Sequence, residues 1–308
     1  MATILLTGGT GMIGTHLQKF LIEKGYSIII LLRDEAKNKS SNQNISYAKW
    51  NVEKGEIDKD AIANADYIIH LAGANVAGKR WTDKRKKEIV KSRTKSGDLL
   101  VKSIKEIPNK IKAIISASAI GWYGPDTQAS KENGFKEDAP ASNDFLGKTC
   151  KLWEASIEPA KQLNKRLTIF RFGIVLSKKG GALKEFKKPL KFGVAAILGD
   201  GKQIISWIHI DDLCRLFLFA IEHDNISGIY NAVAPKPVSN KEFTSTLAKQ
   251  LHSKLFIPIH VPELALKLAM GEMRIEVLKS TTVSSEKISK TGFSFLYSTA
   301  EAALKNLT

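Results

Sequence analysis

Residues 5–14 read LLTGGTGMIG. An apolar run meets a cluster of glycines. Beyond it, GMIGTHLQKFLIEKG sets Ile13, Leu17, Phe20 and Leu21 at helical spacing and closes on Gly25. The glycines therefore sit where a strand turns into a helix. Gly9, Gly11 and Gly14 form G-x-G-x-x-G, and Gly8, Gly11 and Gly14 form G-x-x-G-x-x-G. Glycine is needed where the backbone must turn tightly and meet a pyrophosphate with no Cβ between them. A helix starting near Met12 adds unpaired N–H groups and the positive end of its dipole. Gly8, Gly9, Thr10, Gly11, Met12, Ile13 and Gly14 are expected to hold a dinucleotide.

Outward from this turn, strand-like and helix-like pieces alternate. YSIIILLR, NISYAKWN, ADYIIHLAG, KAIISASA and RLTIFRFG read as strands, and a helix is predicted from about Thr82 to Lys105 with Thr82 and Asp83 at its start. The alternation calls for a parallel sheet with helices on both faces. After Leu176 the rhythm changes to glycine- and lysine-rich loops, with later helical pieces such as NKEFTSTLAKQL, ELALKLAM and TAEAALKNL. The expected class is α/β: a Rossmann doubly wound parallel sheet with a smaller C-terminal substrate lobe. The cofactor domain is assigned to 1–176 with 204–234 returning to it, and the lobe to 177–203 and 235–308.

The chain has 308 residues, 43% of them apolar and 25% charged, enough for one large α/β domain with a smaller companion. No apolar run reaches the length of a membrane span, and ILLT beside Met1 leads into a glycine turn, which is no secretory leader. Cys150 and Cys214 have neither metal-type spacing nor a disulfide framework. A cytoplasmic protein without metal or membrane partner is expected. The net charge is +16 and is densest in KRWTDKRKKEIVKSRTK, residues 79–95. Anions are attracted to such a surface. Without a groove-reading motif or stacking aromatics beyond Trp81, a solvated helix face is favoured over a nucleic-acid site.

The end of the second strand bears on which dinucleotide is held. An NAD site carries an acid there for the ribose 2′-OH. Here the residues are Leu31, Leu32, Arg33 and Asp34. An apolar residue followed by a guanidinium suits a 2′-phosphate, so NADP(H) is preferred over NAD(H), with Leu32 and Arg33 as contacts; a one-residue shift onto Asp34 would restore an acid.

With TGGTGMIG, HLAGAN and ISASAIGWYG, the chain resembles an extended short-chain dehydrogenase/reductase. KRWTDKRKKEIVKSR, RFGIVLSKKGGAL, SWIHIDDL, YNAVAPKPVSNKEF, GEM at 271–273 and TGFSF at 291–295 narrow this to the atypical, nucleoside-diphosphate-sugar-epimerase-like branch. The resemblance implies that Leu71, Ala72 and Gly73 pass under the pyrophosphate and ribose. It also implies Asn51 and Val52 at the adenine, Glu88 and Arg93 reaching the cofactor as a pair, Ser116 as a further contact, and Ile174 and Val175 at the nicotinamide. A surface pair on a charged helix is the plain alternative for Glu88 and Arg93.

Such enzymes use Ser or Thr, Tyr and Lys, with the last two spaced Y-x-x-x-K on one helix face. No tyrosine of this sequence has a lysine four residues on. Aligning Trp153 and Glu154 with the family's helix puts Leu146 at the Tyr position and Cys150 at the Lys position. Ser118 takes the serine's place. Tyr123 and His209 are the candidate replacement proton donors, with a bound water as another. Lys148 and Lys151 fall off the required face, and Cys150 suits a small buried hydrophobe. Trp81, Trp122 and Trp207 could line a pocket or fill the core. The expectation is an NADP(H)-dependent oxidoreductase or epimerase-like enzyme acting on a small carbonyl or alcohol, with a homodimer through the long helices as an analogy. The rival is an NADPH-binding regulatory protein without turnover. Replacing Arg33 by Asp should reverse the cofactor preference, read as NADPH and NADH affinities; unchanged NADPH affinity sinks the assignment of Arg33.

Overall fold

In β1 (Thr3–Thr7), successive side chains enter two different apolar layers, Ile4 and Leu6 one and Leu5 the other. That division organises the whole sheet. The computed structural model describes residues 1–33, 42–252 and 255–308. Asp34, the residue that could shift the cofactor preference, lies outside them. The elements of the first half are α1 (Met12–Glu23), β2 (Ser27–Leu32), β3 (Ile45–Asn51), β4 (Glu56–Ile57), α2 (Lys59–Asn64), β5 (Tyr67–His70), α3 (Asp83–Glu106), β6 (Ala113–Ala119), α4 (Gln128–Asn133), α5 (Phe145–Ile157) and β7 (Arg166–Phe172). After them come β8 (Ile174–Leu176), α6 (Ala182–Leu190), β9 (Val194–Leu198), β10 (Ile204–Ile205), β11 (Trp207–His209), α7 (Ile210–Glu222), β12 (Gly228–Ala232), β13 (Val238–Ser239) and α8 (Asn240–His252). The chain finishes with β14 (Ile257–Val261), α9 (Glu263–Met270), α10 (Arg274–Leu278), α11 (Glu286–Ser289) and α12 (Ala300–Leu307).

Among the described residues the main sheet has eight strands, in the order β12-β7-β6-β5-β1-β2-β3-β4. All neighbours are parallel except β3 and β4. The fold is the doubly wound α/β arrangement expected of the sequence. Leu17 and Leu21 of α1 pack on one face with Leu213 and Phe217 of α7; Leu99 and Leu100 of α3 pack on the other with Ile157 of α5. A Cβ on Gly97 would lie 2.2 Å from Ser156 Oγ, so α3 and α5 meet nearly backbone to backbone. Thr82 caps α3 by accepting from Arg85 N–H, as its position predicts.

Neither β4 nor α2 is expected from the sequence. Asp58 caps α2 by accepting from Ala61 N–H, but the helix is six residues long and buries only Ala61 and Ile62. Too few turns exist for a periodicity to show. A third apolar cluster unites β8, α6, β9, β11, α8 and α12 through Leu176, Leu183, Ala195, Trp207, Phe243 and Leu304. It builds the wall that faces the carboxyl ends of the strands.

One buried group ties β1 to β5. Thr7 Oγ1 accepts from the N–H groups of Leu71 and Ala72, each at 3.1 Å, and lies 2.8 Å from His70 Nδ1. With both lone pairs engaged, the hydroxyl donates its hydrogen to Nδ1, so His70 is neutral with its proton on Nε2, facing Ser96 Oγ at 3.3 Å. Burial, reinforced by the nearby Arg93 charge, lowers its pKa from 6.5 to about 4. In that window the unfolded chain binds a proton that the fold refuses, so stability falls as pH drops from 6.5 to 4. The loss amounts to about 3 kcal/mol at most. Urea unfolding of wild type and His70→Asn across that window should show a pH-dependent loss in the wild type that is smaller in the variant; parallel curves refute the buried neutral histidine.

Candidate functional site

The glycine turn is shaped by close approach. Gly8 has φ of +69°, and a Cβ there would lie 2.8 Å from the carbonyl carbon and oxygen of Leu71. A Cβ on Gly14 would lie 2.4 Å from Gly8 O. One on Gly11 would meet only Gly8 O, at 3.3 Å, so that side of the turn stays open. Gly11 is the N-cap of α1 and brings no side chain to its first N–H groups, which are left for an outside acceptor. Gln18 Nε2 donates to Gly9 O at 2.7 Å and orients that carbonyl. Thr10 is exposed, Met12 is half-buried and Ile13 packs into the first apolar layer. The Gly180–Gly181 loop comes over Met12: a Cβ on Gly181 would meet its side chain at 3.2 Å.

Leu71, Ala72 and Gly73 follow β5 beside this turn, their course fixed by Thr7. Arg93 lies beneath them, buried. Its Nη1 donates to Ala74 O and Ile89 O, both at 3.0 Å, and its guanidinium stands 4.8 Å from the Trp153 ring centroid. Glu88 is exposed and pairs with Arg85 at 2.7 Å, and no ion pair joins it to Arg93. The Arg85 hydrogen bond lowers the Glu88 pKa, with Lys79 and Arg33 adding to its field. Arg33 is exposed and Leu32 buried. Asn51 Oδ1 accepts from Glu53 N–H and Lys54 N–H at 3.1 Å each, which commits it to its own turn. Val52 packs on the second apolar layer and Val175 on the first. Ser116 is buried and donates to Ala117 O.

Ser118, at the end of β6, is buried and donates to Glu154 Oε1 at 2.6 Å. Glu154 is held in two bonds by Arg171, Nε at 2.8 Å and Nη2 at 2.9 Å. Arg171 Nη1 donates to Tyr123 Oη at 3.0 Å, and Tyr123 donates to Asn231 Oδ1 at 2.7 Å. Burial pushes the Tyr123 pKa up to about 12. This network ties α5, β6, β7 and β12 together. Arg171 is invisible to a reading of the sequence, since one arginine in an apolar strand has no pattern to mark it. His209 is fully buried: Nδ1 accepts from Asp211 N–H at the start of α7, and Nε2 faces Asn306 at 3.2 Å. Burial lowers its pKa. The side chains of Tyr123 and His209, expected as proton donors, are thus engaged in the core and in a helix cap, and neither lines the cleft described next.

A cleft of about 730 Å³ opens between the carboxyl ends of the strands and the C-terminal lobe. Val76, Trp81, Ile120, Leu146, Ile174 and Phe186 give it a mainly apolar lining. Leu146 faces it, whereas Cys150 lies behind, buried, donating to Ala119 O and kept neutral because burial raises its pKa to about 12. Lys148 and Lys151 are exposed. Of the three tryptophans considered, only Trp81 lines the cleft; Trp122 stacks on Arg171 at 3.7 Å, and Trp207 is core, donating to Lys236 O. The lobe adds a charged group that sequence reasoning missed. Lys279 Nζ, its side chain 6% exposed, meets Glu276 Oε2 at 2.7 Å and Asp144 Oδ2 at 3.2 Å. Glu276 and Lys279 are three residues apart, a spacing shared by ordinary surface pairs, and only packing buries them.

A glycine cradle, a doubly wound parallel sheet and a cleft over its carboxyl edge define an extended short-chain dehydrogenase/reductase architecture. Residues 4–232 match the NAD dependent epimerase/dehydratase family, and the chain belongs to it. Residues 261–307 match a domain of unknown function, DUF1731. The chain is 36% identical over 305 residues to the epimerase family protein YfhF of Bacillus subtilis, covering 99% of this chain and 97% of that one. With the epimerase family protein SAR0825 of Staphylococcus aureus, identity is 37% over 307 residues, covering 100% and 99%. Among solved structures, human epimerase family protein SDR39U1 with NADPH superposes with a TM-score of 0.85 at 28% identity, over 99% of this chain and 98% of that one. A UDP-glucuronic acid 4-epimerase from Bacillus cereus with NAD shares the fold, with a TM-score of 0.78 at 20% identity, over 98% and 96%. Among the described residues no helix is long and apolar enough to cross a membrane.

Gly14→Ala should destabilise the fold by about 1–3 kcal/mol, because the atoms 2.4 Å away are backbone and cannot give way. A urea midpoint equal to that of the wild type would refute the close approach.

Proposed function

We propose that the protein is an NADP(H)-dependent oxidoreductase that takes a small, largely apolar carbonyl or alcohol. The observations that carry this reading are an apolar cleft at the carboxyl ends of the strands and, after β1, a glycine turn whose open side a Cβ at Gly11 would begin to fill. In this reading the backbone of Gly8–Gly14 and the uncapped start of α1 hold the pyrophosphate. Leu71–Gly73 lie under the ribose and Arg33 takes the 2′-phosphate. Residues 1–176 and 204–234 carry the cofactor, and 177–203 with 235–308 close the cleft. The bound nicotinamide would supply or accept hydride; the chain's own task is to exclude water, orient the substrate and move one proton. Ser118, its hydroxyl committed to Glu154, holds the end of β6 in place.

A lining dominated by Trp81, Leu146 and Phe186 suits an apolar substrate better than a sugar nucleotide, whose hydroxyl and phosphate groups need polar partners. The second reading, an NADPH-responsive regulator without turnover, is favoured by the core engagement of Tyr123 and His209. Titration with NADPH and NADH, read by tryptophan energy transfer to the nicotinamide, followed by assay with apolar ketones and diketones, separates the two. Tighter NADPH binding with ketone reduction is the expected result. Tight binding without turnover across the panel selects the regulator, and binding of neither cofactor removes both readings.

A further inference from the structure

An oxidoreductase of this kind needs a group in the cleft that can give up and regain a proton. Neither tyrosine, histidine nor cysteine lines it. Among the described residues its titratable side chains are Lys79, Arg80, Glu185, Glu276 and Lys279. Lys79 is exposed. Arg80 donates to Leu268 O at 3.0 Å, which fastens α9 across the cleft. Glu185 pairs with Lys188 at 2.6 Å and is 63% exposed. What remains is Glu276 with Lys279, whose side chains are 17% and 6% exposed.

We propose that Glu276 is the proton donor of the cleft, and that Lys279, held between Glu276 and Asp144, positions it and neutralises the carboxylate it leaves. This inference rests on the oxidoreductase reading. The three hydrogens of the Lys279 ammonium have three acceptors: Glu276 Oε2 at 2.7 Å, Asp144 Oδ2 at 3.2 Å and Tyr123 O at 3.5 Å. Lys279 therefore serves as a fixed charge, with no free donor for a substrate. Glu276 meets Lys279 through Oε2 at the wall of the cleft. Asp144 is the N-cap of α5, accepting from Gly147 N–H at 2.7 Å, and stands two residues before Leu146, the vacant tyrosine position. The acid thus reaches the cleft from the lobe opposite α5.

The step balances. A reduced nicotinamide held by the Gly8–Gly14 turn would supply the hydride, and with it two electrons, to the carbonyl carbon; the carbonyl oxygen takes the proton of the Glu276 carboxyl. One O–H bond breaks as the alcohol O–H forms, leaving a carboxylate beside the Lys279 ammonium. Burial raises the Glu276 pKa; Lys279 opposes this and Asp144 adds to it. Lys79, Arg80 and Glu185 face the same cleft from the loop before α3 and from α6. Because the acid form is the active one, the rate of ketone reduction falls as pH rises through this pKa.

The experiment uses the full-length protein, with phenanthrenequinone as the probe substrate and NADPH as reductant. Glu276→Gln, close in shape to the wild type, is expected to bind NADPH with unchanged affinity, to lose about a hundredfold or more in single-turnover reduction and to lose the fall in rate at higher pH. Glu276→Asp should restore part of the rate. Independently of turnover, glutamate carboxyl NMR, assigned through Glu276→Gln, should show Glu276 titrating above the ordinary carboxylate range and shifting further up in Lys279→Met. A wild-type rate and pH profile in Glu276→Gln overturns the proposal, as does a carboxyl signal that stays ionised throughout. Loss of NADPH binding by the wild type removes the oxidoreductase reading itself; bound NADPH with an ionised Glu276 removes only the assignment of the acid.

Discussion

The course of the first turn depends on how closely Gly8 approaches the carbonyl of Leu71. No side chain fits between them, and the hydroxyl of Thr7 holds the Leu71–Ala72 backbone in place by accepting both N–H groups. The turn after β1 and the segment after β5 therefore form one rigid seam. The uncapped start of α1 opens on one side of it, and Arg93 fills the space below Gly73 on the other. His70 belongs to the same seam and is neutral because a charged ring would set two donors, its own N–H and the Thr7 hydroxyl, against each other.

Around the cleft, directional polar contacts add to the apolar packing that attaches the C-terminal lobe. Asp126, just after β6, accepts from Ser280 Oγ at 2.7 Å, Thr282 N–H at 2.7 Å and Thr282 Oγ1 at 2.8 Å. Lys86 pairs with Glu272 at 2.6 Å, and Arg80 reaches the carbonyls of α9. These directional contacts fix where residues 276–281 run. They carry Glu276 and Lys279 to the wall of the cleft, while the network of Glu154, Arg171, Tyr123 and Asn231 anchors the strand ends beneath. A buried, fully paired network of this kind loses several kcal/mol when one partner is removed, since the other charge is left without compensation.

The family's usual tyrosine and lysine sit on the helix that here begins FLGKTC. In this chain Leu146 turns toward the cleft and Cys150 toward the core. An apolar residue in the tyrosine's place enlarges the apolar wall that begins at Trp81 and Ile120, so the same change that removes a proton donor alters what the cleft can accept. The basic stretch 79–95 divides likewise. Arg80, Arg85, Lys86 and Arg93 make specific contacts around the cleft and seam, while Lys84, Lys87 and Lys91 are solvated.

The sequence by itself determined the sheet and its turn. A strand of ILLT followed by glycines, then residues repeating at helical spacing, is local information, and steric exclusion of any Cβ at Gly8 and Gly14 makes it nearly obligatory. Absence of a Tyr-x-x-x-Lys spacing is equally local. Tertiary structure alone decided which polar side chains face the cleft. Tyr123 and His209 are of the right chemical types, yet Arg171 and Asn231 claim one and the cap of α7 claims the other. Glu276 and Lys279 look like a surface pair in the sequence, and contacts with Asp144, 135 positions from Lys279, make them part of the cleft. Periodicity reports which face of an element is apolar, whereas burial of a polar group depends on partners that the chain supplies from far away.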